Sequence, residues 1–256
     1  MFNYLITIHN SEGHLSHVLD GVFKVSSSLN HVLCILDGCK DKSKEVVKDY
    51  GLNYIELNNV RETRAITYAL TQLPVSDYNV ILQDDVVMKD TSFERKIMEV
   101  YDKFPDIGVL GMRHGCNLGS DLEEIEIVQN IFQPSVGKFE TLKDGHITER
   151  QVVFKSPICL SKKVVKALGG YDDRFAPVGC DDFEYCIRAY KAGFKNYVYA
   201  CDIDQPVEWS GEKRFATLNL GAYRDDHMNL LRMLYPQEIE FLSNNHPSLE
   251  QIKCLK

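Results

Sequence analysis

The sequence has no excess of basic residues. It contains 29 Lys and Arg against 37 Asp and Glu, which gives a formal net charge of −8. General binders of nucleic acid or of anionic membrane surfaces need a basic face, so this charge balance argues against both functions. A phosphate-containing ligand stays compatible with it, because a bound metal ion can supply positive charge locally.

Long apolar runs and paired cysteines are also missing. No run approaches the ~20 apolar residues that a membrane-spanning helix needs. The segment MFNYLITIHN has neither a basic start nor a small-residue cleavage site, which argues against a signal peptide. The 8 cysteines form no C-x-x-C motif and no zinc-type spacing, and several lie in apolar runs, which is typical of buried, reduced thiols. We therefore expect a cytoplasmic protein with no membrane span, and we leave peripheral membrane association open.

The first part of the chain alternates between strand-like and helix-like patterns. Its predicted elements are strands at 3–9, 31–37, 53–58 and 78–83, and helices at 11–25, 41–51 and 61–73. The second part is less regular, and its predicted elements are helices at 91–104, 162–170 and 181–193, strands at 107–112 and 194–201, and an extended segment at 151–161. Strand–helix alternation with short connections predicts an α/β fold with a mostly parallel central sheet and helices on both faces. We find no repeat and no linker, so we predict one domain with a C-terminal helical extension.

Polar residues follow several of the predicted strands at the point where each strand ends. The polar residues are Thr7, His9, Asp37, Asp84 and Asp85, and Gly38 lies beside Asp37. Ligands of open α/β sheets bind beyond the carboxyl ends of the strands, where parallel strands meet at one edge. We therefore expect these residues to converge in space although they are far apart in sequence.

The two carboxylates of QDD, Asp84 and Asp85, end the apolar run VIL. Burying charges is costly, so the pair needs a partner or exposure to solvent. One interpretation is a solvated turn. The other is a site for a hard divalent cation, Mg²⁺ or Mn²⁺, which prefers oxygen ligands and shares them with phosphates.

The segment LDGCKDKS has an Asp-Gly pair at a strand end, and it has two interpretations. Asp37 is either a turn former or a carboxylate that accepts a hydrogen bond from the N–H of a nucleotide base. In the second case Gly38 would let a flat ring approach.

The stretch GGYDDRFAPVGCDDFEYCIRAYKAG places Asp181 and Asp182 at the N-terminus of a predicted helix. The helix dipole favours their ionised form, and an ionised carboxylate there could act as a general base. The alternative is plain pairing of acidic residues with the helix dipole, with no catalytic role.

In this order, these segments resemble the family 2 glycosyltransferases of the GT-A fold, a Rossmann-like sheet flanked by helices. The resemblance covers residues 1–200 and rests on YLITIHN, LDGCKDKS, QDD, GGYDDRF and DDFEYCIRAYKAG. It implies transfer of a sugar, with inversion, from a nucleotide sugar, commonly UDP-linked, to a hydroxyl of a glycan or similar acceptor, assisted by Mn²⁺ or Mg²⁺. It also implies a GT-A domain over 1–215, with a nucleotide-binding half (1–112) and an acceptor half (113–215), before a helical extension at 216–256.

The resemblance implies roles for individual residues. Thr7 and Asp37 would contact the nucleotide base, Asp84 would lie near the ribose and Asp85 would bind the metal. Asp182 would be the catalytic base. The remaining residues implied for donor binding are His9, Gly38, Arg64, Gly170, Tyr171, Asp172, Asp181 and Trp209.

Residues 205–225 would close over the bound donor and exclude water. This segment contains Trp209, the single tryptophan of the sequence. Trp209 has an alternative interpretation as an anchor in the hydrophobic core.

The sequence departs from the family pattern at several positions. Gln83 stands where the D-x-D motif has its first Asp, and Asp181 replaces the Glu of a Glu-Asp pair. Ala65 stands where an Asn usually follows the arginine of the third helix. No His follows the last core strand, where many members bind the metal, and His227 is the nearest one downstream.

Two other functions stay open. A sugar-nucleotide nucleotidyltransferase would share the strand–helix start and a metal-binding Asp, but it needs a glycine-rich loop after the first strand. Here that loop is HNSEGHLS, with a single glycine. A non-catalytic carbohydrate-binding or sugar-nucleotide-binding protein on a degenerate transferase fold would account for Gln83 and for the missing His.

Overall fold

The computed structural model describes residues 1–74, 76–130, 139–155, 157–177, 179–206, 209 and 220–254. The strands are β1 (Phe2–Ile8), β2 (Val32–Asp37), β3 (Asn53–Leu57), β4 (Tyr78–Gln83), β5 (Val87–Met88), β6 (Ile107–Gly111), β7 (His114–Leu118), β8 (Glu124–Gln129), β9 (Phe139–Thr141), β10 (His146–Glu149), β11 (Val152–Val153), β12 (Ile158–Ser161), β13 (Lys195–Tyr199), β14 (Ile203–Asp204) and β15 (Ile252–Lys253). The α-helices are α1 (Leu15–Val25), α2 (Ser43–Asp49), α3 (Glu62–Gln72), α4 (Phe93–Lys103), α5 (Lys162–Leu168), α6 (Asp181–Lys191), α7 (Leu220–Leu234) and α8 (Pro236–Asn244).

The central sheet has nine strands in the order β15-β10-β13-β6-β12-β4-β1-β2-β3. Strands β3, β2, β1 and β4 are mutually parallel, and so are β6 and β13. Strand β12 runs antiparallel between β4 and β6. The predicted α/β fold with a large central sheet is confirmed.

Helices cover both faces of this sheet because its central strands are apolar on both sides. All seven residues of β1 are buried. Tyr4 and Ile6 belong to a hydrophobic cluster that includes residues of α1, α2 and α4. Leu5, which points to the other face, belongs to a cluster with residues of α3, α5, α6, α7 and α8. Alternate side chains of one strand therefore join two separate halves of the core.

The segment predicted as extended at 151–161 forms two strands in different sheets. Val152 and Val153 pair with β7 in a smaller sheet of order β11-β7-β8-β9, whereas Ile158–Ser161 lies in the central sheet. Lys155 lies in the connection between them and is buried. Because the chain crosses from the smaller sheet to the central sheet here, a lysine lies inside the protein, at the carboxyl edge of the central sheet.

The C-terminal part contains the predicted helices and one further strand. Helices α7 and α8 contribute to the core, and β15 pairs with β10 at the edge of the central sheet. The division into a domain at 1–215 and an extension at 216–256 stays a prediction. Among the helices of the described residues, none combines the length and apolar character needed to cross a membrane.

Candidate functional site

The carboxyl ends of β1, β2 and β4 meet around His9. The main-chain N–H of His9 donates to Asp84 Oδ2 (2.7 Å), and its Nδ1 donates to the carbonyl of Asp37 (2.5 Å). The Ser11 hydroxyl donates to the same oxygen of Asp84. Helix α1 begins later, at Leu15, and its N-cap position is His14. The convergence expected from the parallel strands is present.

Asp37 is buried and holds the start of α3. Its carboxylate accepts the main-chain N–H groups of Val60 (2.6 Å) and Arg61 (2.9 Å). Contact between Asp37 and a nucleotide base stays a prediction.

Gly38 and Thr7 have structural partners at the same edge. Gly38 adopts φ of +71°, and a Cβ built on it would lie 2.6 Å from Cβ of Asn59, so only glycine fits there. The Thr7 hydroxyl donates to the carbonyl of Leu82 (3.3 Å), which joins β1 to β4. Their roles in donor binding stay predictions.

Asp85 is a buried carboxylate with one oxygen unused. Its Oδ2 accepts from Nε2 of Gln205 (2.9 Å), whereas Oδ1 has no hydrogen-bond partner within the described part of the chain. Burial, together with the charge of Asp84, raises the pKa of Asp85. A hard cation would satisfy the free oxygen and favour the ionised form, so Asp85 fits a divalent metal site.

The rest of the metal coordination would come mainly from outside the protein. Within the described residues, no group of three or more His, Cys, Asp or Glu side chains is arranged to hold a metal ion. Mg²⁺ often binds through one or two carboxylates and completes its shell with substrate phosphates and water. His227, the nearest downstream histidine, is buried and places Nδ1 2.8 Å from the carbonyl of Gly179.

A cavity of about 280 Å³ lies between the end of β4 and the N-terminus of α6. It is lined by Glu62, Thr63, Gln83, Arg113, Phe154, Lys155, Pro177, Gly179, Cys180, Asp181, Asp182 and Phe183. The lining brings Asp181 and Asp182 to the strand end that carries QDD. Three carboxylates and two cations therefore face one small space.

Lys155 is the centre of the acidic side of this cavity. Its Nζ donates to Asp181 and lies 3.9 Å from Oδ1 of Asp182 and 3.9 Å from Oε2 of Glu62. The same Nζ lies 4.9 Å from the ring centroid of Tyr171. Burial alone would lower the pKa of Lys155, but the three carboxylates outweigh it and raise that pKa. Lys155 therefore stays protonated and offsets part of the negative charge.

The two aspartates at the start of α6 have different surroundings. Asp181 is buried and accepts bonds from Lys155 and from the Thr63 hydroxyl (2.9 Å). Asp182 is only partly buried, and no hydrogen bond to its carboxylate occurs in the described ranges. The carboxylate of Asp181 is thus occupied by contacts within the protein, whereas that of Asp182 is available to a ligand in the cavity.

The pKa of Asp182 is raised to about 8, and burial is the largest cause. The charges of Asp181 and Glu62 also raise this pKa, whereas Lys155 and Arg113 act in the opposite direction. The sequence predicted an ionised carboxylate stabilised by the helix dipole. Desolvation and the neighbouring carboxylates outweigh that dipole here. The result is a carboxylate that takes up protons more readily than an ordinary aspartate and titrates near neutral pH.

The segment 170–172 is fixed to α3. The main-chain N–H of Tyr171 donates to the Thr67 hydroxyl (2.9 Å), and a Cβ on Gly170 would lie 2.5 Å from Cγ2 of Thr67. Asp172 bonds the Arg174 guanidinium, which lowers the pKa of Asp172. Of the three residues in this segment, Tyr171 reaches the Lys155 cluster.

Arg64 and Trp209 lie at the periphery of the site. Arg64 is exposed and pairs with Asp173. The Trp209 ring stacks on His14 (centroids 4.7 Å apart) and on His17 (5.7 Å), both at the start of α1. Most of the predicted closing segment, 205–225, lies outside the described residues. Trp209 itself packs on the surface of α1 and not in the core.

Sequence reasoning missed four residues that shape this site: Glu62, Arg113, Lys155 and Gln205. Each lies at the end of an element, or next to one, near the carboxyl edge of the sheet, and this position is the signal that could have identified them. Lys155 also interrupts an apolar stretch, VVFKSPI, where a charge needs a buried partner.

No protein-family model and no curated protein sequence matches the chain. Solved structures match by their fold. GalNAc-T7 with UDP, GalNAc and Mn²⁺ matches with a TM-score of 0.66 and 12% identity over 94% of this chain and 50% of its own. Residues 1–349 of S. aureus TarS match with a TM-score of 0.57 and 12% identity over 78% of this chain and 57% of their own.

The mannosyltransferase PcManGT from Pyrobaculum calidifontis, in complex with GDP-Man and Mn²⁺, matches with a TM-score of 0.55 and 11% identity. The match covers 78% of this chain and 54% of that one. The chain therefore spans about half the length of the solved structures it matches. At these identities the likeness concerns the fold alone. The chain has the GT-A fold of these glycosyltransferases.

Proposed function

We propose that the protein transfers a sugar from a nucleotide sugar to an acceptor hydroxyl with inversion at the anomeric carbon. The observation that carries this proposal is the state of Asp182: it faces a cavity at the carboxyl edge of a GT-A sheet and has no hydrogen-bond partner in the described part of the chain. Its raised pKa suits a general base. The Mn²⁺ and nucleotide or nucleotide-sugar complexes of the matched structures support the donor class.

The proposed reaction is a single displacement. The acceptor oxygen forms a bond to the anomeric carbon while the bond from that carbon to the diphosphate breaks. The electron pair of the broken bond leaves with the diphosphate, and the hydroxyl proton passes to the Asp182 carboxylate. Attack opposite to the leaving group inverts the configuration.

The residues around His9 would bind the nucleoside. Asp37 and Thr7 would contact the base, with Gly38 beside it, and Asp84 would lie near the ribose. Uridine is the nucleoside that we propose. A divalent ion held by Asp85 would stabilise the charge of the diphosphate as a Lewis acid.

The cavity at α6 would receive the sugar and the acceptor. Asp181 would act indirectly, because it holds Lys155 beside Asp182. Gly170, Tyr171 and Asp172 would lie near the sugar and the acceptor, Arg64 would lie near the donor, and Trp209 would lie over the donor. A hexosyl donor, a glycan acceptor and a role in polysaccharide biosynthesis in the cytoplasm complete the proposal.

Binding of UDP should depend on a divalent metal. We expect calorimetric titration with UDP to show affinity at least about tenfold higher in Mn²⁺ than in EDTA, because Asp85 would hold an ion that offsets the charge of the diphosphate. Asp85→Asn should remove most of this difference, whereas the exposed Asp202→Asn should keep it. Equal affinity in Mn²⁺ and EDTA would contradict the metal role, and tighter binding of GDP would contradict the choice of uridine.

A further inference from the structure

Arg113 is the second cation of the cavity. It lies in the turn between β6 and β7, is half-buried, and lines the cavity together with Gln83 and Asp182. Burial lowers its pKa, while the charges of Asp85, Asp182 and Glu62 act in the opposite direction. Its guanidinium is therefore within electrostatic reach of both the candidate metal ligand and the candidate base.

Arg113 forms no ion pair with any carboxylate of the described residues. Its Nε donates to Nδ1 of His114 (3.2 Å), and its Nη1 donates to Oε1 of Gln205 (3.2 Å). An arginine has five N–H donors, and only two of those of Arg113 are used, by neutral acceptors, among the residues that the structure describes. Lys155, by contrast, is paired with Asp181. A half-buried guanidinium without an anion suggests that the anion is a ligand.

Two fixed neighbours hold the Arg113 side chain in place. His114 is buried and stacks on Phe154, with ring centroids 4.2 Å apart. Burial and the Arg113 charge keep the pKa of His114 well below its usual value, so its neutral ring can accept the bond from Arg113. Gln205 accepts from Arg113 with one end and donates to Asp85 with the other (2.9 Å). The guanidinium is thus held before any ligand binds.

We propose that Arg113 binds the sugar-bearing phosphate of the donor and stabilises its charge as it leaves. The proposal rests on the proposed function. A guanidinium presents parallel N–H groups that match the oxygens of a phosphate. Here these groups would act where the bond to the sugar breaks and the leaving diphosphate gains negative charge.

This role would account for the sparse metal site. Within the described residues no group of three or more His, Cys, Asp or Glu side chains could hold a metal ion, so a second cation beside the diphosphate would add to the charge of an ion at Asp85. Arg113 adds a permanent cation on the side of the cavity that faces Asp182. A purely structural cation would be expected to pair directly with Asp85, whereas Gln205 lies between the two side chains.

The test compares ligands that differ by one phosphate. Uridine, UMP and UDP are titrated in Mn²⁺ against the wild-type protein, Arg113→Met and Arg113→Lys. Charged hydrogen bonds contribute enough to predict that Arg113→Met weakens UDP binding about 10–100-fold. The affinities for uridine and for UMP should change by less than about threefold, since neither ligand carries the second phosphate. Arg113→Lys keeps the positive charge but lacks the parallel N–H groups of the guanidinium. Its affinity for UDP should lie between those of wild type and Arg113→Met.

Arg95→Met is the matched control, because Arg95 lies on the surface of α4 and pairs with Glu99. It should leave all three affinities unchanged. Unchanged UDP affinity in a folded Arg113→Met protein would overturn the inference. An equal loss for uridine and UDP would also overturn it, since that pattern indicates a structural role. If the wild-type protein binds uridine and UMP but not UDP, Arg113 has no such role; if it binds none of the three, the proposed function fails and the inference fails with it.

Discussion

Asp182→Asn is expected to lower kcat for nucleotide-sugar turnover by about 10²–10⁴-fold. The substitution keeps the shape of the side chain but removes the only proposed acceptor for the hydroxyl proton. Affinity for UDP should stay nearly unchanged, because Asp182 contributes to the acceptor side of the cavity. Release of UDP from the donor measures kcat, and titration with UDP measures affinity.

The same residue should determine the pH dependence of the rate. A general base acts in its deprotonated form, and the pKa of Asp182 is raised to about 8 by burial. In the wild-type protein kcat should therefore rise with pH between 6 and 8 and level off above that pKa. The residual rate of Asp182→Asn should lack this rise.

Asp181→Asn is the matched comparison, because Asp181 is the adjacent residue and its carboxylate is already engaged by Lys155 and by the Thr63 hydroxyl. It should lower stability more than it lowers kcat. Near-full turnover in Asp182→Asn, combined with loss of turnover in a folded Asp181→Asn protein, would show that Asp181 and not Asp182 is the general base. Unchanged turnover in both variants would remove the catalytic assignment.

Lys155→Met is expected to lower the free energy of unfolding by roughly 3–5 kcal/mol. The substitution keeps most of the apolar stem but leaves Asp181, Asp182 and Glu62 without the cation that lies among them. Like charges in a poorly hydrated site repel, and the buried Asp181 loses its main partner. Urea denaturation measures the loss.

The exposed Lys166→Met on α5 is the control for the loss of a lysine charge and should change stability by less than about 0.5 kcal/mol. The double variant Lys155→Met, Asp181→Asn should recover part of the loss, because it removes one of the unpaired carboxylates. A Lys155→Met protein as stable as wild type would show that the cluster contributes little to folding.

The strand ends were predictable because parallel strands follow a simple rule. Apolar runs that end in polar residues identified Asp37, Asp84 and Asp85, and their convergence around His9 follows from the parallel pairing of β1 with β2 and β4. The start of α6 at Asp181 was also predictable, from an acidic first turn and a closing glycine. These are local patterns, and local patterns are visible in a single sequence.

The charge state of the site was not predictable in the same way. Lys155 meets Glu62 across 93 residues of chain, and Arg113 meets Gln205 across 92. Such contacts depend on how the β6–β7 and β11–β12 connections leave their sheets, which periodicity does not encode. For this reason the sequence suggested an ionised Asp182, whereas its pKa is raised. The dipole of α6 follows from local sequence, but the burial and the neighbouring carboxylates that outweigh it follow from the tertiary structure.

The most direct test of the proposed function is turnover of nucleotide sugars. The purified protein is incubated in Mn²⁺ with a panel of UDP-linked and GDP-linked sugars, where water takes the place of the acceptor hydroxyl and hydrolysis yields free sugar and nucleoside diphosphate. The released nucleoside diphosphate is measured in wild type and in Asp182→Asn. We predict release of UDP from at least one UDP-sugar by the wild-type protein, and release about 10²–10⁴-fold slower by Asp182→Asn. No release from any donor, despite binding of UDP, would contradict a transferase and indicate a sugar-nucleotide-binding protein. Release of pyrophosphate from a nucleoside triphosphate and a sugar phosphate would contradict it in favour of a nucleotidyltransferase.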